Sequence, residues 1–299
     1  MDEIIEIFSA LDPTFFEKVL ISILGGLIGA GGALLVYYLK VQSDKHTDEE
    51  KSKRHLYNKL SYFNSLLSSV IDSTQEQIGL NRQYCLELKE KPFEFVHFNI
   101  SVSDNLKRIC EVIDQEYVYH SFLEFLDTSE SSKEILKVLN NCDYIHTALK
   151  LIIEKNRLAG LKIENVSMEY SVLSEKVMDD AAAEMNNIKR TSPEYNQDPY
   201  WKFINNSLLN YYSKIPDERT IPLREEFFIK PFKLGLVHEF DRQENSDKLS
   251  TMCKGCTHKF TYLIKLSTDL SDEIVHDTNE IEKTLPILEK INKRIINSL

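Results

Sequence analysis

The sequence has 299 residues, of which 42% are hydrophobic and 28% charged, with only nine glycines and eight prolines. This length and composition suit a membrane anchor followed by one large helical domain with a real core. The net charge of −11 argues against general nucleic-acid binding, which needs a clustered basic surface. Five widely spaced cysteines do not resemble a disulfide framework, so we expect a reducing compartment.

Residues 1–18 form the first predicted segment, an amphipathic helix that is broken at Asp12-Pro13. Such a helix would lie on the outer membrane surface or pack around neighbouring spans, and a frayed terminus is the alternative. Five acidic residues and one lysine argue against a cleaved signal peptide, because signal peptides begin with a basic region. The apolar positions of this segment are Ile4, Ile5, Phe8, Leu11, Phe15 and Phe16.

Residues 19–39 form a stretch of 21 residues without a charge, and it holds five of the nine glycines. A helix of that length spans about 30 Å, the thickness of a bilayer's hydrocarbon core. Glycine is unfavourable in water-exposed helices and common in membrane helices. Tyr37 and Tyr38 occupy the position of an interfacial aromatic belt. The sequence therefore predicts a transmembrane helix, with a buried core helix as the alternative.

Small residues recur every fourth position in this stretch and define two helix-packing faces. Small side chains let helix backbones approach closely, and lipid supplies no hydrophobic drive for association. We therefore expect the chain to form a homo-oligomer through these faces, and a monomeric span is the alternative. The first face is Gly25, Gly29 and Ala33, and the second is Ser22, Gly26 and Ala30.

Basic residues at the two ends of the stretch predict its orientation. Only Lys18 precedes it, whereas six basic residues follow it. The positive-inside rule therefore places the amino terminus outside and the carboxyl-terminal domain in the cytoplasm, with the span in the inner (plasma) membrane. The six residues are Lys40, Lys45, Lys51, Lys53, Arg54 and Lys59.

Residues 40–55 are a polar connector, which either continues the span as an exposed helix or acts as a hinge. Residues 56–299 then form the predicted cytoplasmic domain, a bundle of long helices. Its first helix follows a 3.6-residue apolar period up to Leu88 and stops before Pro92. Residues 93–100 alternate weakly and indicate either a short strand or an apolar linker. The expected fold class is all-α.

A long helical pattern covers about residues 133–189, and we expect a break or bend near residues 158–164, which include Gly160. The chain is predicted to end with two helices, at about residues 246–275 and 278–298.

Residues 191–212 are rich in proline, aromatic and amide side chains and form the candidate surface for a ligand or partner. The alternative is that Trp201 and Phe203 close one end of the bundle. The candidate residues are Tyr195, Tyr200, Trp201, Phe203, Tyr211 and Tyr212.

Two groups of residues resemble metal sites. Cys253 and Cys256 have zinc-like spacing, but no second ligand pair follows and both lie on an apolar helical stripe, which favours a core position. Asp272, His276 and Glu280 could form a column of metal ligands, although their neighbours favour a solvated face. No nucleotide-binding or nucleophile motif is present. We therefore predict no cofactor, no bound metal and no enzymatic activity.

The stretch "LGGLIGAGGALLVYYLK" and the charged helix after it, within residues 19–67, resemble a loose class of bacterial single-pass membrane proteins with helical cytoplasmic domains. Some members are similar to anti-phage defence effectors that assemble in the inner membrane and permeabilise it when triggered. The resemblance implies an effector that senses a soluble protein or a small molecule. A passive anchor that recruits a soluble partner, and a membrane-tethered metal- or thiol-dependent enzyme, are the alternatives.

Overall fold

The computed structural model describes residues 13–94, 96–101, 104–126, 130–214, 220–243 and 245–299. These residues are almost entirely helical and include no strand, which confirms the all-α fold class. The predicted amphipathic segment 1–18 lies mostly outside the described residues. The helices are α1 (Pro13–Glu90), α2 (Asp104–Lys107), α3 (Gln115–Phe125), α4 (Ser131–Thr191), α5 (Pro199–Lys214), α6 (Ile221–Arg224), α7 (Lys230–His238), α8 (Ser246–Glu282) and α9 (Leu285–Ser298).

Helix α1 is one continuous helix of 78 residues, so the connector at residues 40–55 is helical and forms no hinge. The helix enters the bundle at Leu60, Phe63 and Leu67, each fully buried, and the 3.6-residue period continues to Leu88. It ends at Glu90, two residues before Pro92, as predicted.

The apolar stretch after α1 is a linker that lies against this helix. The side-chain amide of Gln77 donates to the backbone carbonyl of Asn99 (3.1 Å) and accepts from the backbone N–H of Ser101 (2.6 Å). These bonds satisfy backbone groups that would otherwise pair in a sheet. Of the two alternatives for residues 93–100, the described residues therefore form the linker.

Of the break or bend expected near Gly160, the break is wrong, because α4 runs without interruption from Ser131 to Thr191. A single glycine costs a helix only about 1 kcal/mol. Packing on both sides outweighs that cost, since Ile152 and Ile163 are buried. Nearby, Lys155 of α4 pairs with Asp277 of α8 at 2.8 Å.

The boundary predicted between the last two helices is also wrong, because α8 continues to Glu282 instead of ending near Val275. The real boundary is set by Pro286, which occupies the first turn of α9. Proline lacks the N–H that an uninterrupted helix needs and fits best at a helix start. The hydroxyl of Thr284 donates to the carbonyl of Ile281 at 2.7 Å and closes the turn.

Two hydrophobic clusters form the interior of the bundle. The first joins α1, α2, α3 and α9 to the amino-terminal half of α4 and the carboxyl-terminal half of α8. The second joins α5, α6 and α7 to the other halves of α4 and α8. Helices α4 and α8 therefore run through both clusters and hold them together.

Candidate functional site

Helix α1 contains a stretch that is long and apolar enough to cross a membrane, by length and composition. Within the described parts of the chain it is the one helix that meets this test, and none of the stretch is buried. Ile28 is 73% exposed and Leu34 is 68% exposed. Leaving so many large apolar side chains in water is unfavourable by about 25 cal/mol for each Å² of exposed apolar surface. No described part of the chain covers this surface.

The predicted helix-packing faces lie on this uncovered stretch. A Cβ atom built on Gly25, Gly26 or Gly29 meets no neighbouring atom within 4 Å. The other members, Ser22, Ala30 and Ala33, are exposed as well. The bundle therefore does not use these glycines to pack its own helices, and both faces stay accessible to another helix.

Gly32 belongs beside the first face, although the four-residue spacing alone missed it. It follows Gly29 by three residues and therefore lies on the same side of the helix. A Cβ atom built on Gly32 meets no described atom within 4 Å. The same holds for Gly31, which lies on the opposite side of the helix. Searching for three-residue as well as four-residue spacing would have found Gly32.

The candidate aromatic residues divide between the interior and the surface. Tyr200 and Tyr211 are buried in the second cluster, with 3% and 1% of their surface exposed. Phe203 is partly exposed and stacks on Phe232 (ring centroids 5.2 Å apart) and Phe240 (4.9 Å). Most of this stretch therefore closes one end of the bundle.

The remaining aromatic residues line the surface near that end. Tyr195 and Trp201 form an edge-to-face pair with centroids 5.1 Å apart, and Tyr212 is 48% exposed. Phe203 and Phe240 also border an open groove of about 590 Å³ whose other walls are polar, including Asn206 and Asn210. Such an open, polar groove is a weaker ligand site than an enclosed apolar cavity.

The aromatic stack depends on a glycine, which gives a stability prediction. A Cβ on Gly235 would overlap the Cε2 and Cζ atoms of Phe203, whose ring is held between Phe232 and Phe240. Gly235→Ala should therefore lower the free energy of unfolding by about 1–3 kcal/mol. Gly79→Ala in α1 is the matched control, because its Cβ meets nothing within 4 Å. We expect that control to stabilise the protein by about 0.5–1 kcal/mol in chemical denaturation, and equal effects would contradict the packing role of Gly235.

Cys253 and Cys256 are fully buried in the second cluster, on the apolar stripe that the sequence indicates. Burial raises the pKa of each thiol to about 12. Only the thiolate form of cysteine binds metals or acts as a nucleophile. These buried thiols stay neutral, so they are better suited to packing the core than to metal binding or catalysis.

The column Asp272, His276 and Glu280 lies on α8, with its two carboxylates engaged by lysines. Asp272 accepts from Lys89 of α1 at 2.8 Å, and Glu280 accepts from Lys283 at 2.5 Å. The Lys283 ammonium lowers the pKa of the Glu280 carboxyl. No group of three or more metal-ligating side chains is arranged to hold an ion in the part of the chain that the structure describes.

A buried polar cluster, which sequence patterns did not reveal, lies where α6 passes into a π-helical turn at Glu225–Ile229. Glu225 is only 4% exposed and accepts hydrogen bonds from the hydroxyls of Tyr170 (3.0 Å) and Thr257 (2.8 Å). Arg224 is also buried and donates to the hydroxyl of Ser174 (2.7 Å). Burial raises the pKa of Tyr170, so its hydroxyl stays a donor. The cluster thus links α4, α6 and α8 through a buried carboxylate.

Comparison of the chain with protein-family models, curated proteins and solved structures finds no match. The function must therefore be inferred from the residues and geometry of this chain.

Proposed function

We propose that this protein is a non-enzymatic, membrane-anchored effector that works as a homo-oligomer in the inner membrane. One observation carries the proposal: the glycine-rich apolar stretch of α1 extends beyond the bundle, and none of its described side chains is buried. Insertion into a lipid bilayer would remove the apolar side chains of this stretch from water. The excess of basic residues after the stretch supports a cytoplasmic position for the bundle.

Self-association follows from the glycines. A lone span gains nothing from glycine, which lowers helix propensity by about 1 kcal/mol relative to alanine. Between helices, however, glycine allows close backbone contact. Because the Cβ positions of Gly25, Gly26 and Gly29 meet no neighbour among the described residues, we assign the partner on these faces to a helix of another copy.

The continuous α1 helix supports a role beyond anchoring, because it joins the apolar stretch directly to the core of the bundle. A signal protein or small molecule that shifts the bundle can thereby move the spans. The resemblance of residues 19–67 to anti-phage effectors supports membrane permeabilisation as the output. The stretch offers few polar groups, so a pore formed between the spans would be narrow and hydrophobic. Such a pore opens and closes as water enters or leaves it.

Fractionation provides the first test. We expect the full-length protein to sediment with membranes, to resist extraction by high salt or alkaline carbonate, and to be released by detergent. An apolar helix in lipid is held by burial of its side chains, whereas a peripheral protein is held by charges that salt screens. Recovery of the full-length chain as a monomer without detergent would refute the membrane proposal.

Replacing residues 1–40 with an unrelated leucine-rich span distinguishes an effector from a passive anchor. The effector proposal predicts that the swapped protein stays in the membrane but loses oligomers and no longer admits a membrane-impermeant dye into expressing cells. A passive anchor would keep its function in the swapped protein. The wild-type chain at the same expression level is the reference.

A further inference from the structure

A partly open cavity of about 430 Å³ lies where the end of α1, the linker after it and the middle of α4 meet. This volume is within the range of about 300–1,000 Å³ that small-molecule sites occupy. Its lining is mainly apolar and includes Leu88, Val96 and Ile163. None of its described lining residues belongs to the candidate aromatic residues or to the apolar stretch of α1.

A few polar groups converge on this apolar cavity. Tyr84 and Asn156 form a hydrogen bond across its wall, from α1 to α4. Ser167 also lines the cavity, and its buried hydroxyl has no hydrogen-bond partner among the described residues. A buried hydroxyl without a partner is unfavourable, and a ligand that offers a donor or an acceptor would satisfy it.

The charges of the lining select the class of ligand. Glu94 and Glu164 contribute two exposed carboxylates, and no salt bridge joins either of them to another described residue. No lysine, arginine or histidine is among the described lining residues. A phosphate or carboxylate ligand would be repelled here, whereas an ammonium group would be attracted. Phe93 is also in the wall, where its ring stacks on that of Phe260 (centroids 4.7 Å apart) and adds apolar surface.

We infer that this cavity is a binding site for a small apolar amine, with its hydrocarbon body among Leu88, Val96 and Ile163 and its ammonium group toward Glu94 and Glu164. Tyr84 and Leu88 lie in the last two turns of α1, so the occupant contacts the helix that carries the apolar stretch. Under the proposed function, this site is where a small-molecule trigger acts. Binding itself does not depend on that function.

The test uses full-length protein in detergent micelles and ligand-observed NMR with 2-phenylethylamine as the probe. We expect saturable binding of this amine and at least fivefold weaker binding of 3-phenylpropanoate, which has a similar body and the opposite charge. Micelles without protein serve as the control, because they show how much of each probe's signal comes from its partitioning into detergent. Equal binding of the two probes, or no binding of the amine beyond empty micelles, would overturn the inference.

Substitution of the two carboxylates locates the site. Glu94→Gln combined with Glu164→Gln should weaken binding of 2-phenylethylamine about fivefold, because each exposed carboxylate contributes a modest attraction. Glu90→Gln is the control, since Glu90 is exposed at the end of α1 but does not line the cavity. Unchanged binding in the double variant would place the amine elsewhere and overturn the inference.

Oligomer size and membrane fractionation of the same preparation separate this inference from the proposed function. Loss of amine binding in an oligomeric membrane protein refutes the site alone. Amine binding by a protein that needs no membrane leaves the site in place and refutes the effector.

Discussion

Glu225→Ala is expected to lower the free energy of unfolding by about 2–4 kcal/mol, with a fall in melting temperature on the order of 10 °C. The substitution removes the acceptor for the hydroxyls of Tyr170 and Thr257, at 3.0 and 2.8 Å. Two hydroxyl donors are thereby left without this partner. Both losses occur in the interior, where water does not replace the missing partner.

Two variants make this prediction specific. Glu225→Gln keeps the shape of the side chain and one acceptor oxygen, so we expect roughly half the loss of stability. Glu226→Ala changes the neighbouring exposed glutamate and should alter stability by less than about 0.5 kcal/mol. Thermal unfolding followed by circular dichroism measures all three variants. Similar melting temperatures for Glu225→Ala and Glu226→Ala would show that the buried carboxylate does not hold the helices together.

Gly29→Leu is expected to abolish the oligomer and, with it, the activity at the membrane. Leucine places a branched side chain on the face where the backbones of two spans would meet, and the helices can then no longer approach closely. We expect at least a tenfold weaker association, which corresponds to about 1.4 kcal/mol. Cross-linking in membranes and native mass spectrometry in detergent measure this change.

Gly31→Leu is the matched control for that experiment. Gly31 has equally open surroundings, but two residues along a helix turn about 200°, so it lies on the other side from Gly29. The control adds the same side chain to the same span and should leave oligomer size unchanged. An unchanged oligomer in the Gly29→Leu variant, or equal losses in both variants, would refute the role of the small-residue faces.

Local signals in the sequence predicted much of the helical framework. Pro92 stops α1 because proline cannot continue the backbone hydrogen bonds, and this holds in any tertiary context. Gly160 misled the prediction because a glycine's modest local cost is outweighed by packing of Ile152 and Ile163, which depends on distant helices. The end of α8 was misplaced for a similar reason, since buried Thr278 and Ile281 extend its packed face beyond Val275.

The buried cluster around Glu225 could not be found from periodicity. Its partner Tyr170 is 55 residues away along the chain, and a single sequence contains no signal that pairs them. The aromatic residues illustrate the same limit. Composition identified the stretch, but the packing of α5 against α4, the π-helical turn and α7 separates buried Tyr200 and Tyr211 from exposed Tyr212.

The unbroken course of α1 from Pro13 to Glu90 fixes the rotation of its glycines about the helix axis relative to the bundle. At about 100° per residue, one residue inserted at the connector would turn the faces away from their neighbours by more than a quarter of a circle. Seven inserted residues, nearly two full turns, would return them to within about 20°. The number of residues in the connector is thus a geometric constraint, even though most of its side chains are exposed.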